Sequence, residues 1–233
     1  MKIKIDAEGA FSKCLSALLI IVSLSISKGE AQTLTVVEKA WAYSSGTAFT
    51  TTPFSGSMMP TGNLNTTPTQ ARSLFKFDIS SLTVDSFESI TLSLAVTYIN
   101  NAGRPGDAQT IGVRYLNYDV GPGALTVAAI TTTNVSLLTT FTASISTLTI
   151  DVTAAIESAV NSGFDYFTIR LNDITTDTMY GTAPFGPAIV GFGLAPTLNV
   201  VPVPEPKTYA ILLVSALFFG CMILRGPLPK RHS

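Results

Sequence analysis

Residues 90–99 read ITLSLAVTYI, so that Ile90, Leu92, Leu94 and Val96 alternate with Thr91, Ser93, Ala95 and Thr97. Side chains two apart lie on one face of an extended chain, and this period predicts a sheet with one buried face. Comparable stretches occur at 72–79 (RSLFKFDI), 111–118 (IGVRYLNY), 147–152 (TLTIDV), 165–171 (DYFTIRL) and 197–201 (TLNVV), and 33–41 (TLTVVEKAW) opens the series. In 72–79, Phe75, Phe77 and Ile79 share one face, and Leu74, Lys76 and Asp78 share the other. Glycine, proline and asparagine punctuate the chain at 100–106, 121–123 and 186–187, where they favour turns.

One short helix is expected. Asp151 or Thr153 can cap it, Ala154–Val160 continue it and Asn161-Ser162-Gly163 end it, with Ile156 and Val160 turned toward the sheet. Residues 43–70 are rich in Ser, Thr, Gly, Pro and Asn, carry no Asp, Glu, Lys, Arg or His, and read as a long loop. Many short strands with one small helix predict an all-β fold, a jelly-roll-like antiparallel β-sandwich over residues 32–201.

The two ends follow different rules. Lys2, Lys4 and Lys13 precede an apolar run from Leu15 to Ile26, and Gly29-Glu30-Ala31 then sets small residues before Gln32. This is the pattern of a secretory signal, residues 1–31, cut between Ala31 and Gln32 by signal peptidase. At the other end, Thr208–Leu224 holds no charge over 17 residues, the lower limit for a membrane-spanning helix. Arg225, Lys230 and Arg231 follow, and such charges remain on the cytoplasmic side. The expected topology is an exported middle, inserted transiently in the membrane through its C-terminal helix.

The whole chain is nearly neutral, but its basic residues cluster in the ends. Residues 32–206 hold six basic and twelve acidic side chains, a net charge of −6. That balance argues against nucleic acid or an anionic membrane as partner of the middle segment. Cys14, Cys221 and His232 all lie in the end segments. The middle therefore lacks the side chains for a disulfide, a Ser-His-Asp or Cys-His site, or a His-ligated zinc.

A polysaccharide-acting enzyme would need two carboxylates across a cleft, and nothing in the sequence singles out a pair. Asp78 and Asp151 read as turn and cap residues at strand ends. Sugar contact through exposed rings has five candidates, Trp41, Tyr43, Tyr115, Tyr118 and Tyr180. A structural Ca2+ would draw on loop oxygens, for which Asp107, Asn172, Asp173 and Asp177 are the candidates; solvated loop acids are the competing reading. No other cofactor is implied.

Pro204-Glu205-Pro206, then an apolar helix, then a basic tail resembles the PEP-CTERM sorting signal of exopolysaccharide-producing Gram-negative bacteria. The resemblance covers residues 202–233 and implies recognition by an exosortase, removal of the tail and transfer to the cell surface or extracellular matrix. The middle resembles the DNRLRE-type domain, a carbohydrate-binding-module-like β-sandwich. That likeness rests on RSLFKFDISSL at 72–82, ITLSLAV at 90–96, Ile150-Asp151-Val152-Thr153 with its short helix, the strand at 165–171 and APTLNV at 195–200. The Trp-rich segment common in that family is not present here.

Together these features imply a non-catalytic exported protein of the cell surface or matrix, associated with extracellular polysaccharide. A stand-alone carbohydrate-binding module is the alternative, and a polysaccharide-acting enzyme the third reading.

Overall fold

The computed structural model describes residues 31–45, 48–52, 58–63, 70–100, 109–174 and 188–203, with Ser215 alone beyond them. Ala31–Pro202 form one compact unit. Its strands, in chain order, are β1 (Gln32–Ser45), β2 (Ala48–Thr52), β3 (Met59–Asn63), β4 (Gln70–Asp78), β5 (Phe87–Asn100), β6 (Thr110–Leu116), β7 (Val135–Thr142), β8 (Thr147–Asp151), β9 (Tyr166–Asp173), β10 (Ala188–Phe192) and β11 (Thr197–Pro202). Helices α1 (Val127–Thr131) and α2 (Thr153–Asn161) and a 3-10 turn at Val84–Ser86 complete it. Every strand pairing among the described residues is antiparallel, and the fold is all-β.

Two long strands organise the topology. The first residues of β1 pair with β11, and its later residues pair with β4 and β2. In the same way β5 pairs with β11 and β8 through its first half and with β10 through its second. The pairings β1–β4, β4–β3, β3–β10, β10–β5, β5–β11 and β11–β1 form a closed cycle, from which β9, β6 and β7 extend in that order beyond β4. Inside lies a core of Phe75, Phe77, Phe167, Phe192, Ile90 and Leu92, joined by Ile156 of α2.

The alternation in β5 appears as expected. Ile90, Leu92, Leu94 and Val96 are buried, whereas Thr91, Ser93 and Ala95 are half-buried and Thr97 is exposed. Helix α2 ends at Gly163, whose φ of +73° is the left-handed conformation glycine adopts without penalty. Gly163 N–H donates to Val160 O and Phe164 N–H to Ala159 O, the paired bonds of a Schellman motif. The N-cap position itself is Val152, and the carboxylate of Asp151 accepts the Thr153 N–H at 2.9 Å.

Four expectations need correction. Residues 43–70 are not one loop, since they contain the end of β1, all of β2 and β3 and the first residue of β4. Met59 there is fully buried, and Thr-rich stretches form strands once a neighbour supplies hydrogen bonds. The strand expected at 165–171 runs on to Asp173, and strands β7 and β10 were not foreseen. Helix α1 is a second helix. Finally, β4 is buried on both faces, with Leu74 and Lys76 enclosed as fully as Phe75 and Phe77. A second apolar cluster explains this: Leu125, Ala129 and Ile130, from α1 and the segment before it, cover Leu74 and Ala42.

Candidate functional site

Strand β1 begins at Gln32, which pairs with Val200 of β11, and Thr33 pairs with Asn199. The two strands are antiparallel neighbours, so the chain enters and leaves the compact unit side by side. Ala31, exposed, immediately precedes β1, and β11 ends at Pro202. The expected cut between Ala31 and Gln32 thus lies just outside the first residue pair of the sheet. Residues 1–30 and the motif Pro204, Glu205 and Pro206 lie outside the described residues, as does the apolar run 208–224 apart from Ser215. No helix among the described residues is long and apolar enough to cross a membrane.

The strand directions define an opposite end. Strand β5 finishes there at Asn100, β6 starts at Thr110, β9 finishes at Asp173 and β10 starts at Ala188, with Ile189 opposite Asn100 and Ile111 opposite Asp173. Asp107, Asp177 and Tyr180 belong to the connections between these strand ends and lie outside the described residues.

Of the ring candidates, Trp41 and Tyr43 come together on β1, half-buried, with ring centroids 5.6 Å apart and planes at 34°. Trp41 also packs against the main core. Tyr115 on β6 stacks on the buried ring of Phe167 at 5.6 Å. Tyr118 packs instead against the second cluster, beside Leu125 and Ile130. Burial pushes its hydroxyl above the ordinary tyrosine range, opposed by a hydrogen bond with Thr132 and the charge of Arg170. Trp41 and Tyr115 thus pack on the main core, Tyr118 packs on the second cluster and Tyr43 pairs with Trp41, so the rings do not form one platform.

Asn172 and Asp173 close β9 and are buried, not part of a solvated loop. Gln109 Nε2 donates to Asp173 Oδ2 at 3.3 Å. Among the described residues no group of three or more His, Cys, Asp or Glu side chains is arranged to hold a metal ion. Other acids are engaged locally. Asp119 accepts the N–H groups of Gly121 and Asp165, both at 2.7 Å. Asp78 accepts from Ser80 N–H and hydroxyl, and Asp151 from the same two groups of Thr153. Those hydrogen bonds hold both carboxyls below the usual aspartate value, because they favour the charged form.

The polar centre that sequence reasoning missed lies on the outer face of β4. Lys76 Nζ donates to Gly123 O at 2.5 Å and sits 2.5 Å from Glu38 Oε2, and 5.1 Å from the centre of the Tyr166 ring. Glu38 Oε1 accepts the Leu125 N–H at 2.7 Å. Nearby, Arg170 donates to Ile130 O and Thr132 O, and Arg72 adds a bond to Ile130 O. Two guanidiniums at the C-terminal carbonyls of α1 complement the negative end of that helix. This arrangement fastens the 117–132 segment over the sheet. The readable signal was Leu74, an apolar residue on the same face as Lys76.

No protein-family model matches the chain, and no curated protein matches it.

Proposed function

We propose that this chain is a non-catalytic exported protein of the cell surface or extracellular matrix, associated with exopolysaccharide. Its body is read as a jelly-roll-like sandwich, and its sorting as the work of an exosortase-type system acting on residues 202–233. The observation that carries the reading is the pairing of Gln32 with Val200. Two processing signals read from the sequence flank adjacent strand ends of one compact unit, so both can be cut without severing any strand pair. Buried Lys76 and Arg170 and half-buried Glu38 support the same reading, since each of them binds backbone of the covering segment.

Mass spectrometry of the protein recovered from the medium and envelope of an exosortase-bearing Gram-negative host tests this. A mature chain beginning at Gln32 and ending near Pro204-Glu205-Pro206 is the expected result. An uncut chain retained in the cytoplasm would defeat the proposal.

A further inference from the structure

Among the described residues three strands pair with a single neighbour and leave one side open: β2, β7 and β8. An open side presents N–H and C=O groups to another strand, and proteins blunt such edges with charge, proline or shortness. Strand β2 is five residues long and Pro53 follows it at once, while β8 is five residues long and ends on Asp151. Strand β7 has none of these protections. Its eight residues, VSLLTTFT, lie within a stretch, 124–150, that holds no Asp, Glu, Lys, Arg, His, Gly or Pro.

The register shows which groups are open. Ala143 N–H donates to Gln109 O, and Phe141 and Thr139 stand opposite Ile111 and Val113. Bonded pairs alternate in an antiparallel ladder, so Thr140 and Thr142 turn their N–H and C=O groups away from β6. Beyond the irregularity at Leu138, Asn117 N–H donates to Asn134 O, and the same alternation turns Val135 and Leu137 outward. The Leu137 side chain is 51% exposed. Ile145, in the connection 143–146 between β7 and β8, is 71% exposed, the most of any large apolar side chain among the described residues.

Strands β7 and β8 rest on one core, through Leu138 and Phe141 from the first and Leu148 and Ile150 from the second. Only residues 143–146 join them, so their open sides begin on one flank. A lone peptide would fill one of these edges, whereas a second copy of the chain brings both. Charge points to the same flank: each body carries −6, and the stretch 124–150 contributes none of it, so two copies meet there with least repulsion. We infer that β7 pairs antiparallel with β7 of a second copy across a two-fold axis, with β8 of each copy beside the joint. Under a two-fold, residue i meets j while j meets i, a condition that one uncharged strand satisfies against itself. The pairing requires neither export nor processing, and so stands apart from the reading above.

Sedimentation equilibrium of the full chain, in a detergent of matched density, tests the pairing, together with amide exchange at low and high protein concentration. A reversible dimer is expected, with exchange at Val135, Leu137, Thr140 and Thr142 slowing on concentration and exchange in β2 unchanged. Thr140→Pro removes an N–H that bonds nothing within the chain, and proline is tolerated on such an edge. Leu137→Lys/Thr140→Lys instead brings like charges together at the joint, from positions that are exposed in one copy. Each should raise the dimer dissociation constant at least tenfold with an unchanged circular dichroism spectrum, whereas Ser158→Lys, exposed on α2, should not. A dimer held instead by the apolar run 208–224 would survive both edge variants. A monomer at every concentration, a dimer that persists in either folded edge variant, a dimer without protection at the four amides, or growth beyond a dimer would each overturn the inference.

Discussion

Lys76 Nζ lies 2.5 Å from Glu38 Oε2, although the lysine side chain is 3% exposed and the glutamate 28%. The pair joins β4 to β1, whose residues 38 and 76 are register partners. It also reaches outward, since the lysine takes the carbonyl of Gly123 and the glutamate the N–H of Leu125. A buried ammonium is costly to desolvate unless each proton finds an acceptor, and here the covering segment supplies acceptors along with the carboxylate.

Removing the acid alone should therefore hurt more than removing the base. Glu38→Ala leaves an enclosed ammonium short of its counter-charge and frees the Leu125 N–H, at an expected cost of about 2–3 kcal/mol. Lys76→Met replaces the charge by an apolar chain of similar length and should cost less, under about 2 kcal/mol. Urea unfolding of both variants, compared at equal m-value, checks the order.

Arg170 gives a second test of the same cover. Its guanidinium, nearly fully buried, bonds Ile130 O at 3.1 Å and Thr132 O at 2.7 Å, whereas half-buried Arg72 shares Ile130 O at 3.3 Å. Arg170→Met should loosen α1 and the segment before it while the sheet stays intact. Amide hydrogen exchange over 125–132 is expected to rise at least tenfold, with exchange in β5 unchanged. Arg72→Met should show the same pattern, weaker, because Arg170 remains at the same carbonyl.

Legibility of this fold from sequence tracks how local each signal is. The alternation in β5 and the glycine stop of α2 depend on neighbours within a few residues, and both were readable. Lys76 shows the opposite case. Period two put it on a face with Leu74 and Asp78, and only the distant segment 117–132 decides that this face is covered. Strand β2 and helix α1 are five residues each and owe their conformation to what they pack on. The candidate rings were visible as residue types, but their division between two packing layers was not.

Acid should weaken the two aspartate turns in a defined direction. Asp78 and Asp151 are held below the ordinary aspartate value when folded, chiefly by the hydroxyls of Ser80 and Thr153. A depressed folded value means that the unfolded chain takes up the proton first as pH drops. Their contribution is thus complete above about pH 5 and fades as pH falls through the folded values. The Tm gap between the protein and Asp151→Ala should stay constant from about pH 7 to 5 and narrow as the pH falls further, through the lowered folded value. A gap that widens in acid would contradict the assigned hydrogen bonds.

Two glycines should fail on substitution for different reasons. At Gly163 an added Cβ meets nothing within 4 Å, and the obstacle is the φ of +73° alone. Gly163→Ala should then cost about 1 kcal/mol, and Gly163→Asn less, because asparagine tolerates the left-handed region. At Gly112, on β6, the backbone angle raises no objection, but a Cβ would stand 2.8 Å from Ile174 Cδ1 and 3.4 Å from Asn172 Oδ1. That is crowding against the tip of half-buried Ile174, just past β9, which can shift in part, so the expected cost is about 1 kcal/mol, at the low end for overpacking. Trimming the obstacle separates the two cases: Ile174→Val should recover part of the loss in Gly112→Ala and none in Gly163→Ala. Thermal unfolding of the two double variants reads this directly, and equal recovery in both would mean that the crowding at Gly112 has been misassigned.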